Sequence, residues 1–210
     1  MLFKQIYKYA IFAEIVSDDK AHYVKVNAPD DEEHGVPFTE ENLRTLWQHS
    51  SDPEVQVILI MCYSGWRINE FKHLEVNLKE NYFYGGMKTK AGKERIVPIH
   101  PAIRDFVIYR MNTDGCLLKL NVAHYRAGHF YPTLEKLNMA GSPKHTPHDC
   151  RHTFSMLCEK YGVRENDRKR LLGHSFRNDI TNAVYGHRAL EDLKQEIEKI
   201  KVPDFVTNCD

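Results

Sequence analysis

The chain has no short C-x-x-C pair among its five cysteines, Cys62, Cys116, Cys150, Cys158 and Cys209, and an odd count closes no disulfide framework. Such usage suits a reducing compartment, so a cytoplasmic location is expected. A long apolar run is also missing. The stretch from Val55 to Tyr63 is interrupted by Gln56 and falls well short of the roughly 20 residues that cross a bilayer. Neither a membrane span nor a signal peptide is read, and no membrane partner is expected. Net charge is absent too, with 29 Lys and Arg against 29 Asp and Glu. That balance argues mildly against nucleic acid, because phosphate neutralisation supplies most sequence-independent affinity for DNA. There is no internal repeat, no low-complexity segment and no H-E-x-x-H pair for zinc. What remains is 210 residues, enough for one main domain with a full hydrophobic core.

The charge is unevenly spread. From Gly85 to Arg110 six Lys or Arg stand against two acids, and from Ser142 to Arg177 eight against four. Acids gather at Asp30, Asp31, Glu32, Glu33, Glu40 and Glu41, and again at Glu191, Asp192, Glu196 and Glu198. One molecule can therefore carry a basic face with acidic flanks; two merely solvated basic surfaces are the plainer alternative.

Apolar spacing predicts a short amphipathic helix over residues 3–14 and a linker from Asn27 to Pro37. Thr39 caps the next helix, with Glu40 and Glu41 in its first turn and Leu43, Leu46 and Trp47 on its buried side. Asp52 and Pro53 begin another, which Ser64-Gly65 breaks, and a short helix with Arg67 and Glu70 is expected to follow. Val76 to Met87 and Arg95 to Ile99 read as two strands of a hairpin whose turn holds Lys88, Lys90 and Lys93. Helices are expected from Pro101 to about Met111 and over roughly 122–138, 147–161, 164–172 and 189–200. The expected class is mainly α with a small antiparallel β-hairpin or sheet.

Several segments carry chemistry. In TPHDCRHTF, His148 and Arg151 lie three apart on one helical face, so both can reach one phosphate. Arg67, in SGWRINEF, supplies a second guanidinium. Two planar forks suit the charge that builds on the equatorial oxygens of a phosphoryl transition state. Taken singly, Arg67 is equally a helix-end partner of Glu70, and Arg151 a structural ion pair. In LLGHS, Gly173 turns the chain and presents His174. Tyr185, in AVYGH, follows His174 by eleven residues; its phenol, with an ordinary pKa of about 10, needs a base or a cationic pocket to act as a nucleophile. His145, His148, His152, Cys150 and Cys158 raise zinc as an alternative. Asp149 in place of Glu, and the cationic Arg151 among them, weigh against it.

Taken in order, Arg67, a Lys-bearing hairpin from Gly86 to Ile99, His148, Arg151, His174 and Tyr185 resemble the active site of tyrosine recombinases. From about Val36 to Ile200 the chain looks like the catalytic domain of the tyrosine recombinase or phage integrase family, most like integrases of conjugative transposons. The resemblance implies a tyrosine recombinase catalytic-domain fold over 36–210 with a C-terminal tail helix. Residues 1–35 would then be the remnant of an N-terminal DNA-binding domain plus linker. It further implies metal-free site-specific cutting and rejoining of double-stranded DNA, with no cofactor, to integrate or excise a mobile element. Arg67, Arg151 and His174 would bind the non-bridging oxygens, Tyr185 would attack, Lys88 or Lys90 would protonate the leaving oxygen, and His148 would assist. Glu70 would hold Arg67 from behind, and Lys93, Arg95 and Lys144 would touch DNA. The family pattern also implies a tetramer on DNA, the tail helix docking on a neighbour, and an accessory excision protein. The interval from His174 to Tyr185 is about two residues longer than in many members. A non-cleaving DNA-binding regulator on the same fold and a type IB topoisomerase are the alternatives.

Overall fold

Asp52 and Pro53 start the helix around which the larger part of the chain is organised. The computed structural model describes residues 2–18, 35–86, 94–141, 144–174 and 189–204, and the chain forms two units, Met1–His34 and Gly35–Asp210. The first carries helix α1, Leu2–Phe12. In the second, α2 spans Glu40–Gln48 and α3 Pro53–Ser64. Thr39 caps α2 with its hydroxyl on the Asn42 N–H, and Asp52 caps α3 through the Glu54 N–H at 2.9 Å, each satisfying a donor that the first turn leaves open. Every residue of α3 from Val57 to Ser64 is buried. A helix apolar all round belongs at the centre of a core, where each fully buried aliphatic side chain contributes about 1.5–3 kcal/mol.

The other elements wrap this helix. A 3-10 turn, Phe71–His73, leads into a three-stranded antiparallel sheet in the order β1 (Glu75–Asn77), β2 (Tyr82–Gly85), β3 (Arg95–Pro98). Phe83 pairs with Val76 on one side and Val97 on the other, and Gly85 with Arg95. The expected single strand from Val76 to Met87 is thus two strands. Asn77 accepts the Glu80 N–H at 2.8 Å and Asn81 adopts a left-handed φ of 56°, which folds the chain into a tight turn. The lysine-rich turn from Lys88 to Lys93 lies outside the described residues.

Helix α4, Arg104–Asp114, packs on α3. Helices α5 (Val122–Tyr125) and α6 (Tyr131–Lys136) are joined by a π-helical stretch, Arg126–Phe130. Within the single helix expected from 122 to 138, Pro132 lacks an N–H and its ring would clash with the carbonyl four residues back. A wider turn just before it relieves both problems. Helix α7, Pro147–Lys160, lies along α3; α8 spans Glu165–Leu172 and α9 Leu190–Ile197. The apolar stripe of α9 is covered by its own unit: Leu193, Ile197 and Ile200 are buried, and the Ile200 carbonyl meets His100 Nε2 at 2.8 Å. Buried Glu196 accepts the Arg164 N–H at 3.0 Å and the Lys199 ammonium at 2.7 Å, joining the tail helix to the start of α8. Among the described residues no helix is long and apolar enough to cross a membrane.

Gly65 and Gly162 share a φ of 67°, but a Cβ at Gly65 would fall 2.3 Å from the buried Phe154 ring, whereas Gly162 faces open space. Gly162→Ala should therefore cost only the backbone strain, about 1–2 kcal/mol. Gly65→Ala should cost about 3 kcal/mol or more, because Phe154 must also move. Urea denaturation of the two variants checks the difference; equal losses would mean that the ring yields freely.

Candidate active site

Arg151 sits in the middle of α7 and is 3% exposed. Its Nη1 donates to the Gly65 carbonyl at 2.7 Å and its Nη2 to the Leu172 carbonyl. Gly65 lies at the end of α3, two residues before Arg67, and Leu172 at the end of α8, two residues before His174. Gly65 and Gly173 turn the chain with φ of 67° and 68°, so both helices stop where their terminal carbonyls face the guanidinium. Those carbonyls are the negative ends of helix dipoles, a favourable place for a fixed cation. One side chain thus gathers the segments bearing Arg67 and His174.

His148 lies one helical turn before Arg151, half-buried, with its ring edge-on to His152 at 4.8 Å between centroids. His152 in turn packs on Gly35, where a Cβ would fall 1.8 Å from the ring. Asp149 accepts the Thr146 N–H at 2.7 Å with one oxygen and the Val36 N–H at 3.1 Å with the other. It closes the first turn of α7 and ties the beginning of this unit to the same helix.

Arg67 is not in a helix. It stands in an irregular stretch between α3 and a turn over residues 68–70, because the Glu70 carboxylate takes the Arg67 backbone N–H at 3.1 Å and the Glu70 N–H bonds back to the Arg67 carbonyl at 2.8 Å. The same Glu70 oxygen binds the Arg95 guanidinium at 3.1 Å. Glu70 thus supports the Arg67 loop by its backbone and joins it to β3.

The expectation that Arg95 contacts DNA is corrected. It faces inward on β3 opposite Gly85, 6% exposed, with its guanidinium 3.6 Å from the centre of the buried Trp66 ring. Burial draws it down to about 10, against the pull of Glu70 and aided by the charge of Arg67; it remains a cation at neutral pH, fixed inside the protein. Lys144 is exposed, its ammonium 3.9 Å from the centre of the Tyr131 ring. Lys88, Lys90, Lys93 and Tyr185 lie outside the described residues.

Of the residues weighed as zinc ligands, only His148 and His152 lie with their rings against each other. The His145 ring lies 4.2 Å from that of Phe38, tilted by 32°, with its Nδ1 3.6 Å from Asp149, whose oxygens are engaged by backbone N–H groups. Burial, with the adjacent Cys62 thiol, pushes the Cys150 thiol far above its usual range, and burial raises Cys158 to about 12. Among the described residues no group of three or more His, Cys, Asp or Glu is placed to hold a metal ion. Sequence reading missed the Gly65 and Leu172 carbonyls and Trp66. The two helix-ending glycines were the available signal for the carbonyls, and nothing local marked Trp66.

This fold is that of tyrosine recombinase and integrase catalytic domains. The chain covers 93% of itself and 75% of a Tn1549 transposon integrase solved with circular intermediate DNA, at 20% identity and a TM-score of 0.56. The integrase of mycobacterium phage Brujita aligns over 95% of this chain and 69% of its own at 14% identity and a TM-score of 0.57. In sequence, tyrosine recombinase XerA of Pyrococcus horikoshii is 24% identical over 183 residues, 80% of this chain and 62% of that protein. The chain thus spans about three fifths of that curated relative's length. No family model matches.

Removing one member of a buried ion pair strands the other. Glu70→Ala should cost about 3–5 kcal/mol, because Arg95 keeps its charge in an apolar setting, while the double change Glu70→Leu with Arg95→Met should recover much of that loss. Thermal denaturation of the single and double variants decides it; a single variant as stable as the parent would mean that water reaches Arg95.

Proposed function

We propose that the chain is the catalytic part of a site-specific DNA strand transferase that acts on double-stranded DNA through a phosphotyrosyl intermediate. The observation that carries this reading is the buried Arg151 fork fastened to the ends of α3 and α8. Its bonds tie α7, which carries His148, to the helix ends that precede Arg67 and His174, which supports a shared site for these residues. Support also comes from relatives that are a tyrosine recombinase and integrases, one of them solved with circular intermediate DNA.

In this reading Tyr185 attacks the scissile phosphorus. The phenolic oxygen forms the new P–O bond, the bond to the 5′-oxygen breaks, and Lys88 or Lys90 delivers a proton to that departing oxygen. Arg67, Arg151 and His174 neutralise the non-bridging oxygens, so fixed donors do the work that a metal does elsewhere. His148, one turn from Arg151, assists as the base that takes the phenolic proton of Tyr185 and as the acid that returns it in the reverse step. The protein–DNA bond retains the energy of the broken one, and a 5′-hydroxyl of a partner duplex reverses the step. Exchange between two sites takes four protomers, an arrangement in which α9 would leave its own unit for a neighbour. An accessory excision protein would set the direction.

Covalent capture on nicked duplexes tests the proposal. The parent chain should give an SDS-resistant adduct whose modified peptide contains Tyr185, and Tyr185→Phe should abolish it while binding persists. Arg67→Ala and Arg151→Lys should each lower the cleavage rate by about a hundredfold or more. Binding without any adduct points to a non-cleaving regulator, and relaxation of supercoiled plasmid without a paired site points to a topoisomerase.

A further inference from the structure

From Gly115 to Leu134 the sequence carries Lys119, His124, Arg126 and His129 but no Asp or Glu, in a chain whose charges otherwise cancel. The structure gives this a physical form. Several other cations of the domain meet carboxylates: Arg110 with Glu54 and Asp114, Lys136 with Asp52, Lys160 with Glu40, Arg168 with Glu159; within the acid-free stretch itself His129 Nδ1 lies 3.5 Å from Glu54. Arg126 and Lys144 are both exposed, and among the described residues neither makes an ion pair. Both are held instead by one half-buried tyrosine. The Arg126 Nη2 donates to the Tyr131 hydroxyl at 3.1 Å with its guanidinium 6.0 Å from the ring centre, and the Lys144 ammonium lies 3.9 Å from that centre.

The π turn makes this grouping. Residues five apart on an α-helix point to different sides; one wider turn brings Arg126 and Tyr131 onto the same side, and the Tyr131 N–H bonds directly to the Arg126 carbonyl. Tyr131 is also fixed from behind by the buried Phe130 ring at 5.6 Å. Beside it the surface is bare: Ala127 is exposed, and a Cβ added at Gly128 would meet only His124 Nε2 at 3.9 Å. Two positive charges held on one ring, with no carboxylate paired to them among the described residues and small side chains alongside, suit the negative charge of a sugar-phosphate strand.

We propose that Arg126, Tyr131 and Lys144 form a phosphate clamp that grips the backbone of duplex DNA, a positioning contact separate from the reacting groups. The clamp rests on the strand-transferase reading and sharpens it. Lys144 stands two residues before Thr146, the cap of α7, so a phosphate held there is held in a fixed relation to His148 and Arg151 on that helix.

The test is fluorescence anisotropy of the full chain with a labelled random-sequence duplex over a series of KCl concentrations. Arg126→Gln with Lys144→Gln should weaken binding about tenfold and reduce the slope of log K against log salt by about one to two units. Tyr131→Leu, which keeps every charge, should weaken binding by a smaller factor with most of the slope retained. Lys160→Gln, on the far end of α7, should leave both quantities within about twofold, and thermal melting confirms that each variant is folded. If the parent binds and the double variant keeps its affinity or its slope, the clamp is overturned and the patch is free for an acidic protein surface. Should the parent itself bind no duplex at low salt, the strand-transferase reading falls and the clamp with it.

Discussion

Everything in the larger unit turns on where the Arg151 guanidinium sits. A fixed cation enclosed at 3% exposure needs partners in rigid places, and it finds them in the last carbonyls of two helices. Helix ends are the one part of regular structure with unsatisfied acceptors, so an arginine can bridge two of them without breaking either. The consequence is geometric: Arg67 follows Gly65, and His174 follows Leu172, by two residues, and a single side chain joins those two anchoring points.

That arrangement depends on how α3 is packed. Its burial on every side, with α2, α4, α7 and the π segment packed around it, leaves Gly65 no freedom. The left-handed φ and the contact with Phe154 fix the direction in which the chain leaves toward Arg67. Glu70 then acts on both sides of the loop, holding the Arg67 backbone and the buried Arg95 with the same oxygen. Sheet and helical core are thereby joined through an ion pair whose cation rests on Trp66. Arginines differ in setting: Arg95 and Arg151 are enclosed and join segments, while Arg126 lies outside and, among the described residues, pairs with no carboxylate.

Much of this was legible in the sequence because its causes are local. Capping at Thr39 and Asp52, the apolar faces of α2 and α3, the breaks at Gly65 and Gly173, and the His-x-x-Arg spacing on α7 each follow from a few neighbouring residues. The errors also have local causes of a subtler kind. The turn at Asn77–Asn81 lacks the Gly or Pro that usually marks one, and Pro132 was outweighed by the apolar periodicity on both sides of it.

The sequence by itself determined the order of the reactive groups and the helices that would carry them, since order along the chain and helical spacing require no knowledge of what lies across the core. Only the tertiary structure decided which arginine faces inward. Arg95 and Lys144 are both cations near a predicted site, and no neighbour in sequence tells them apart. What does is contact across 25 residues with Glu70 for one, and a solvent-facing ring for the other. Burying a charge is tolerable only where a partner waits for it, and that partner is supplied by the folding of distant segments onto one another.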